Sequence, residues 1–130
     1  MTASILIVDD SNSVRNMVES ALRFKGYAVT GAADGLEALD ALERIPFHLV
    51  ILDINMPRMD GLALLQAIRA RPEWATLPVL MLTTEGQDAD RERALALGAT
   101  DYILKPFKPV QLLERVAALL AATHHLPPET

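Results

Sequence analysis

At 130 residues and 14.2 kDa the chain has the size of one compact domain, about 14 Å in radius of gyration, with no room for two. Hydrophobic residues make up 51% of it and charged residues 22%, a balance that can bury a core and excludes intrinsic disorder. Its 17 acidic residues outnumber the 12 basic ones, and the net charge of −5 has the wrong sign for a domain that neutralises nucleic-acid phosphates.

The absence of cysteine rules out disulfides, thiolate metal sites and a cysteine nucleophile. Apolar runs of four or five residues fall far short of the roughly 20 that a membrane-spanning helix needs, and the N-terminus has no signal-peptide pattern. A cytoplasmic domain with no membrane contact is the expectation.

The first apolar run, Ile5-Leu6-Ile7-Val8, does not alternate with polar residues. Such a strand is covered on both faces, as in a parallel sheet between helix layers. Val14, Met17, Val18, Ala21 and Leu22 then fall on one helical face, with Ser11 or Asn12 as cap and Gly26 as stop. The weaker run Tyr27-Ala28-Val29-Thr30 predicts an edge strand. Leu36, Leu39 and Leu42 mark a second helix, capped by Asp34 and stopped before Pro46.

A third strand follows at Leu49-Val50-Ile51-Leu52, and Leu64, Leu65 and Ile68 predict a helix capped by Asp60 and stopped before Pro72. Val79-Leu80-Met81-Leu82 is the fourth strand. The next helix, from about Ala89 to Leu97, has a thin apolar stripe and ends at Gly98. Tyr102-Ile103-Leu104 is the last strand, and a helix from Pro109 turns Val110, Leu113, Val116 and Leu120 inward. Five βα units predict an α/β fold with a doubly wound five-stranded parallel sheet. The domain covers residues 1–122, and residues 123–130, with Pro127 and Pro128, form a flexible tail.

The chemistry collects where the buried runs end. Asp9 and Asp10 follow the first, Asp53 the third, Thr83 the fourth and Lys105 the last. In an open parallel sheet these strand ends share one edge, where ligands bind. Taken singly, each aspartate reads as a cap or turn residue, Thr83 as a hydroxyl that satisfies backbone, and Lys105 as a solvated side chain. Their joint placement points instead to one site. Three carboxylates there repel by about 4 kcal/mol per pair at 4 Å and an effective dielectric of 20, so a cation is required. Lys105 supplies one charge. The remaining all-oxygen set suits a hard ion, and Mg²⁺ fits better than calcium because no EF-hand spacing is present.

Val8-Asp9-Asp10-Ser11, the loop Asp53-Ile54-Asn55-Met56-Pro57-Arg58-Met59-Asp60-Gly61, Leu82-Thr83 and Lys105-Pro106-Phe107 resemble the receiver domains of two-component response regulators, above all the CheY-like single-domain chemotaxis type. The resemblance spans residues 3–122 and implies the flavodoxin-like (βα)5 three-layer sandwich with strand order 2-1-3-4-5. It further implies that Asp53 accepts a phosphoryl group as an aspartyl phosphate. Asp10, Asp53 and the main-chain carbonyl of Asn55 would hold Mg²⁺, with Asp9 acting directly or through water, and Lys105 would pair with a phosphoryl oxygen. Thr83 and Tyr102 would be the switch pair. Asn55 and Glu85 would tune dephosphorylation. The Lys105-Pro106 bond would be cis, although the dipeptide alone suggests a trans turn.

His48 lies at the far end of its strand from Asp53 and His124 and His125 lie in the tail, so the donor is expected to be a partner's phosphohistidine. The implied partners are a sensor histidine kinase and a downstream protein target such as a flagellar motor switch component, with a phosphatase as a further candidate. Neither nucleic acid nor membrane is among them, and a monomer is expected. The readout would be a surface bearing Arg91, Glu92, Asp101, Lys108, Gln111 and Arg115. Ile54 and Thr84 depart from the family pattern, and the bulk of Thr84 bears on the rates of phosphorylation and hydrolysis.

Two enzymatic or relay readings compete with this signalling module. A phosphorelay intermediate has the same sequence signature. A magnesium-dependent phosphohydrolase that forms an aspartyl phosphate needs a second acid two positions on, where Asp53-Ile54-Asn55 offers an amide. A receiver-like scaffold that is never phosphorylated would leave these positions without a purpose. Nucleotide binding is a weaker reading still, because no glycine-rich phosphate loop occurs.

Overall fold

The computed structural model describes residues 2–56, 59–84, 86 and 88–124. Strands and helices alternate: β1 Ser4–Val8, α1 Asn12–Phe24, β2 Ala28–Ala32, α2 Gly35–Arg44, β3 Leu49–Asp53, α3 Gly61–Ala70, β4 Val79–Thr84, α4 Asp88–Ala96, β5 Asp101–Lys105 and α5 Pro109–His124. A short 3₁₀ turn, Pro72–Trp74, follows α3. All strand pairs are parallel, in the order β2-β1-β3-β4-β5. The fold expected from the sequence is the fold observed.

The runs without alternation are explained by two cores, one on each face of the sheet. Leu6, Val8, Val50, Leu52 and Met81 pack with Leu42 of α2, Leu64, Leu65 and Ile68 of α3 and Ala94 of α4. Their neighbours in sequence, Ile5, Ile7, Leu49, Ile51, Leu80 and Leu82, pack with Val18 and Leu22 of α1 and Leu112, Val116 and Leu120 of α5. Each fully buried Leu or Ile contributes roughly 1.5–3 kcal/mol, so the central strands lock the register of the whole sheet.

Local chemistry sets the helix ends. Ser11 Oγ accepts from the Val14 N–H, Asp34 Oδ1 from Glu37, and Asp60 Oδ1 from Ala63, as the sequence predicts for these caps. At the start of α2 the Glu37 side chain also reaches back, its Oε1 accepting from the N–H of Ala33, the residue before the cap. Gly26, with φ +92°, ends α1, and Gly98, with φ +108°, follows α4.

Several details differ from the sequence expectation. β2 begins at Ala28 because the Tyr27 N–H is spent on the Leu22 carbonyl in the turn that closes α1, and the ladder runs on to Ala32. Leu36 is 51% exposed, and α2 faces the core through Ala38, Ala41 and Leu42 with Leu39 half-buried. Gly35 explains the rotation: a Cβ there would lie 2.8 Å from Met59 Cβ, so the helix presents its small residues where it approaches that side chain. In α5, Val110 is 63% exposed, Leu113 half-buried, and the buried stripe is Leu112, Val116 and Leu120 at i, i+4 and i+8. α5 also runs to His124, two residues past the expected boundary at 122, and residues 125–130 of the expected tail lie outside the described residues.

Gly61 fixes the tip of β3. Its N–H donates to the Ile54 carbonyl at 2.7 Å, and a Cβ on it would meet the Asp53 carbonyl oxygen at 2.2 Å and Ile54 Cα at 2.6 Å. Both are backbone atoms that cannot swing aside. Gly61→Ala is therefore expected to lower the unfolding free energy by about 2–3 kcal/mol in urea titrations. Asp60→Ala, which removes only the neighbouring cap, should cost about 1 kcal/mol.

Candidate functional site

The sheet register brings the polar strand ends together. Val8 pairs with Leu52, so Asp9 and Asp53 emerge side by side from β1 and β3. Asp53 pairs with Leu82, just before Thr83 of β4, and Thr84 pairs with Lys105 of β5. Residues far apart in the chain thus meet on one edge because the apolar runs beneath them are aligned.

Asp9 is fully buried and tightly held. Its N–H donates to the Ala32 carbonyl at 3.1 Å, its Oδ1 accepts from the Ser11 N–H at 2.9 Å, and its Oδ2 accepts from Lys105 Nζ at 3.0 Å. Asp10, by contrast, is exposed. Asp53 is 4% exposed, with Lys105 Nζ 3.4 Å from Oδ1 and a 3.4 Å bond from the Asn55 N–H. Carboxylate oxygens of Asp9, Asp10 and Asp53 lie within 4.8 Å of one another.

This crowding shows in the titration of Asp53. Burial, and then the charge of Asp9, push its carboxyl up from 3.8 to about 6, against the opposing pull of Lys105 and the Asn55 N–H. Lys105 responds in the other sense. Burial works against its charge, but the hydrogen bond it donates to Asp9 and the charges of the two carboxylates outweigh it and hold the ammonium above its usual range. One lysine balances one of three carboxylates. The donor set is oxygen only, with one of its three carboxylates, Asp10, exposed, and it fits a hard divalent cation such as Mg²⁺.

Thr83 adds a second unmet demand. Its Oγ1 is buried and has no hydrogen-bond partner among the described residues, an arrangement that costs about 1–3 kcal/mol. A strand-end hydroxyl left in that condition beside a buried carboxylate is suited to an anionic group that arrives later. Tyr102, paired with Met81 of β4, is half-buried against the core, and the Arg91 guanidinium lies 5.4 Å from its ring centre.

Asn55 is exposed just beyond the β3 tip. Glu85 lies outside the described residues, as do Pro57 and Arg58 of the loop after Asp53. The Lys105-Pro106 bond is cis, as the family resemblance implies and against the trans turn suggested by the dipeptide alone. Beside Lys105 runs a groove of about 350 Å³ lined by Val14, Met17, Thr84, Pro106 and Phe107, with the bulky Thr84 on its rim. His48 is structural. Its Nδ1 accepts from the Ser4 N–H at 2.9 Å and its own N–H donates to the Ser4 carbonyl, clasping the starts of β1 and β3 at the opposite end of the sheet.

The raised carboxyl of Asp53 has a consequence for stability. Between pH 3.8 and about 6 the folded protein keeps a proton that the unfolded chain has released, so stability falls as pH rises through that window and stays lower above it. Asp53→Asn removes the penalty. In chelator-treated buffer at pH 7.5 it should be more stable than the unaltered protein by up to about 3 kcal/mol. Thermal melts should show that gain shrink through the window and vanish below pH 3.8.

Comparison with known proteins matches residues 5–117 to the response regulator receiver domain. The chain is 43% identical over 121 residues to the "probable transcriptional regulator ycf27" of Cyanophora paradoxa, covering 93% of this chain and 49% of that protein. It is 42% identical over 123 residues to the response regulator MprA of Mycobacterium sp. (strain KMS), covering 95% and 53%. The chain thus spans about half the length of these curated relatives. Among solved structures, the chemotaxis response regulator CheY4 of Vibrio cholerae superposes with a TM-score of 0.87 at 40% identity, over 92% of this chain and 99% of that one. Family model, sequence relatives and superposed fold agree, and the chain belongs to the response regulator receiver domains, which are regulatory signalling modules.

Proposed function

We propose that the protein accepts a phosphoryl group on Asp53 from a phosphohistidine of a sensor histidine kinase and thereby changes a protein-binding surface. The observation that carries this reading is the buried Asp53 carboxylate, pressed by Asp9, touched by Lys105 and neighbouring a hydroxyl with no partner among the described residues. A carboxylate oxygen attacks phosphorus, the phosphorus–nitrogen bond breaks, and the imidazole leaves with its electron pair and takes up a proton. Asp10, Asp53 and the Asn55 carbonyl would hold Mg²⁺, with Asp9 assisting. When bound, the ion offsets charge on the phosphoryl oxygens. Lys105 pairs with one of those oxygens and Thr83 donates to another.

The donor must approach the rim where Asp53 lies. The apolar groove of Val14, Met17, Pro106 and Phe107 borders that approach beside Lys105 and gives the kinase a surface to cover. Transfer adds nearly two negative charges and three acceptor oxygens to a place already acidic. Recruiting the Thr83 hydroxyl vacates space toward which Tyr102 can turn. α4 buries only Ala94, the thinnest anchorage of the helices, and its surface joins Asp101, Lys108, Gln111 and Arg115 into a face of mixed charge. Near-complete switching, from 1:99 to 99:1, needs about 5.5 kcal/mol of differential stabilisation, shared between the phosphoryl contacts and the partner.

Two outputs are compatible with this chemistry. The likeness to CheY4 along nearly its whole chain favours stand-alone action on a protein target in chemotaxis or motility. The relatives of twice the length, one named a transcriptional regulator, favour a receiver that controls transcription. In either case the net charge of −5 argues that these 130 residues do not themselves grip nucleic acid. Residues 2–124 hold no helix long and apolar enough to cross a membrane among those described. A phosphohydrolase is disfavoured, because the residue two beyond Asp53 is an amide.

Incubation with a phosphorylated histidine kinase and Mg²⁺ should label the protein once, on Asp53, and Asp53→Ala should abolish the label. Thr83→Ala should still be labelled but should lose the gain in partner affinity that follows labelling of the unaltered chain in a pull-down. A label that survives Asp53→Ala would overturn the assignment, and repeated turnover of small phosphomonoesters would revive the hydrolase.

A further inference from the structure

The acidic rim has a support that its chemistry does not explain. Arg15, one turn into α1, sends Nη1 back to the main-chain carbonyl of Asp9 at 2.8 Å, and its Nη2 bonds Asn12 Oδ1. The Asp9 carbonyl is therefore the fourth polar atom of that residue to be fixed, after its N–H and both carboxylate oxygens. That carbonyl belongs to the rigid plane of the Asp9-Asp10 peptide. Holding it sets the direction in which the chain enters Asp10, whose exposed side chain has no hydrogen-bond partner of its own among the described residues.

Room for this clamp comes from β2. A Cβ on Gly31 would lie 2.1 Å from Glu19 Oε2 and 3.2 Å from Arg15 Cδ, so the Glu19 carboxylate and the Arg15 stem pass over the one residue of that strand that has no side chain.

We propose that Arg15 is a positioning residue for divalent-cation binding: it fixes the Asp9-Asp10 peptide so that the Asp10 carboxylate is held toward Asp53, and Gly31 gives it space to do so. This rests on the reading of Asp9, Asp10 and Asp53 as the cation site. Charge and position make opposite demands here. A guanidinium near three carboxylates repels a cation, so if only its charge mattered its loss would tighten binding. If it holds the peptide, its loss loosens binding, by the 10–100-fold typical of residues that orient a metal's ligands.

Calorimetric titration of the full chain with MgCl₂ separates these effects. Arg15→Ala is expected to weaken Mg²⁺ binding by at least about 10-fold. Gly31→Val keeps every charge, suits an edge strand and crowds the arginine stem, and it should weaken binding in the same direction. At Mg²⁺ concentrations that saturate each variant, labelling of Asp53 should return to the rate of the unaltered protein. Unchanged or tighter Mg²⁺ affinity in a folded Arg15→Ala, or in Gly31→Val should the first fail to fold, would overturn the inference and leave the cation site standing. No saturable binding by the unaltered protein would overturn both.

Discussion

The structure turns on one ammonium group placed between two carboxylates. Lys105 Nζ lies 3.0 Å from Asp9 and 3.4 Å from Asp53, and Asp10 completes an acidic cluster within 4.8 Å. Without the lysine, burial and the charge of Asp9 would drive Asp53 further toward neutrality. With it, the balance is only partial. Asp53 stays ionisable but strained, titrating near 6, and the cluster keeps a net negative charge that a hard cation can satisfy. The site is reactive because its charges are assembled but not fully compensated.

The two apolar cores make that assembly possible. Alternate residues of the same strands feed opposite faces, so slipping β1, β3 or β4 by one position would exchange their side chains between two cores that are each packed around the other set. The register that results places Asp9, Asp53, Thr83 and Lys105 at adjoining tips. Lys105 then reaches past β4 to Asp53 of β3 and Asp9 of β1. Tolerance of an orphaned Thr83 hydroxyl follows from the same rigidity, since surrounding packing outweighs a cost of about 1–3 kcal/mol.

Much of this was legible in the residues. Unbroken runs such as Ile5 to Val8 and Leu49 to Leu52 announce strands covered on both faces, and Asp34 and Asp60 announce caps, because each signal is local. The polar residue after each run gave the site for the same reason. Less legible were features fixed by a neighbour in space. The choice of Leu112 over Val110 and Leu113 as the inward face depends on how α5 lies over the sheet, and the outward turn of Leu36 depends on Met59, more than twenty residues on. Arg15 reads as an ordinary solvated residue of a helix. Only the path of its guanidinium to a carbonyl six residues earlier distinguishes it.

The same reasoning locates where regulation can act. The end of the sheet that carries His48 is clasped by its bonds to Ser4, while the opposite end joins the crowded carboxylate, a Thr83 hydroxyl with no partner among the described residues and the thinly anchored α4. A phosphoryl group placed there meets demands that the resting protein leaves open. The most direct measurement of that condition is a carbon-13 NMR titration of the Asp53 side-chain carboxyl in metal-free buffer. The account predicts a midpoint near 6 that moves well down on addition of Mg²⁺. A midpoint near 3.8 that is indifferent to Mg²⁺ would show an ordinary, solvated aspartate and contradict the account at its centre.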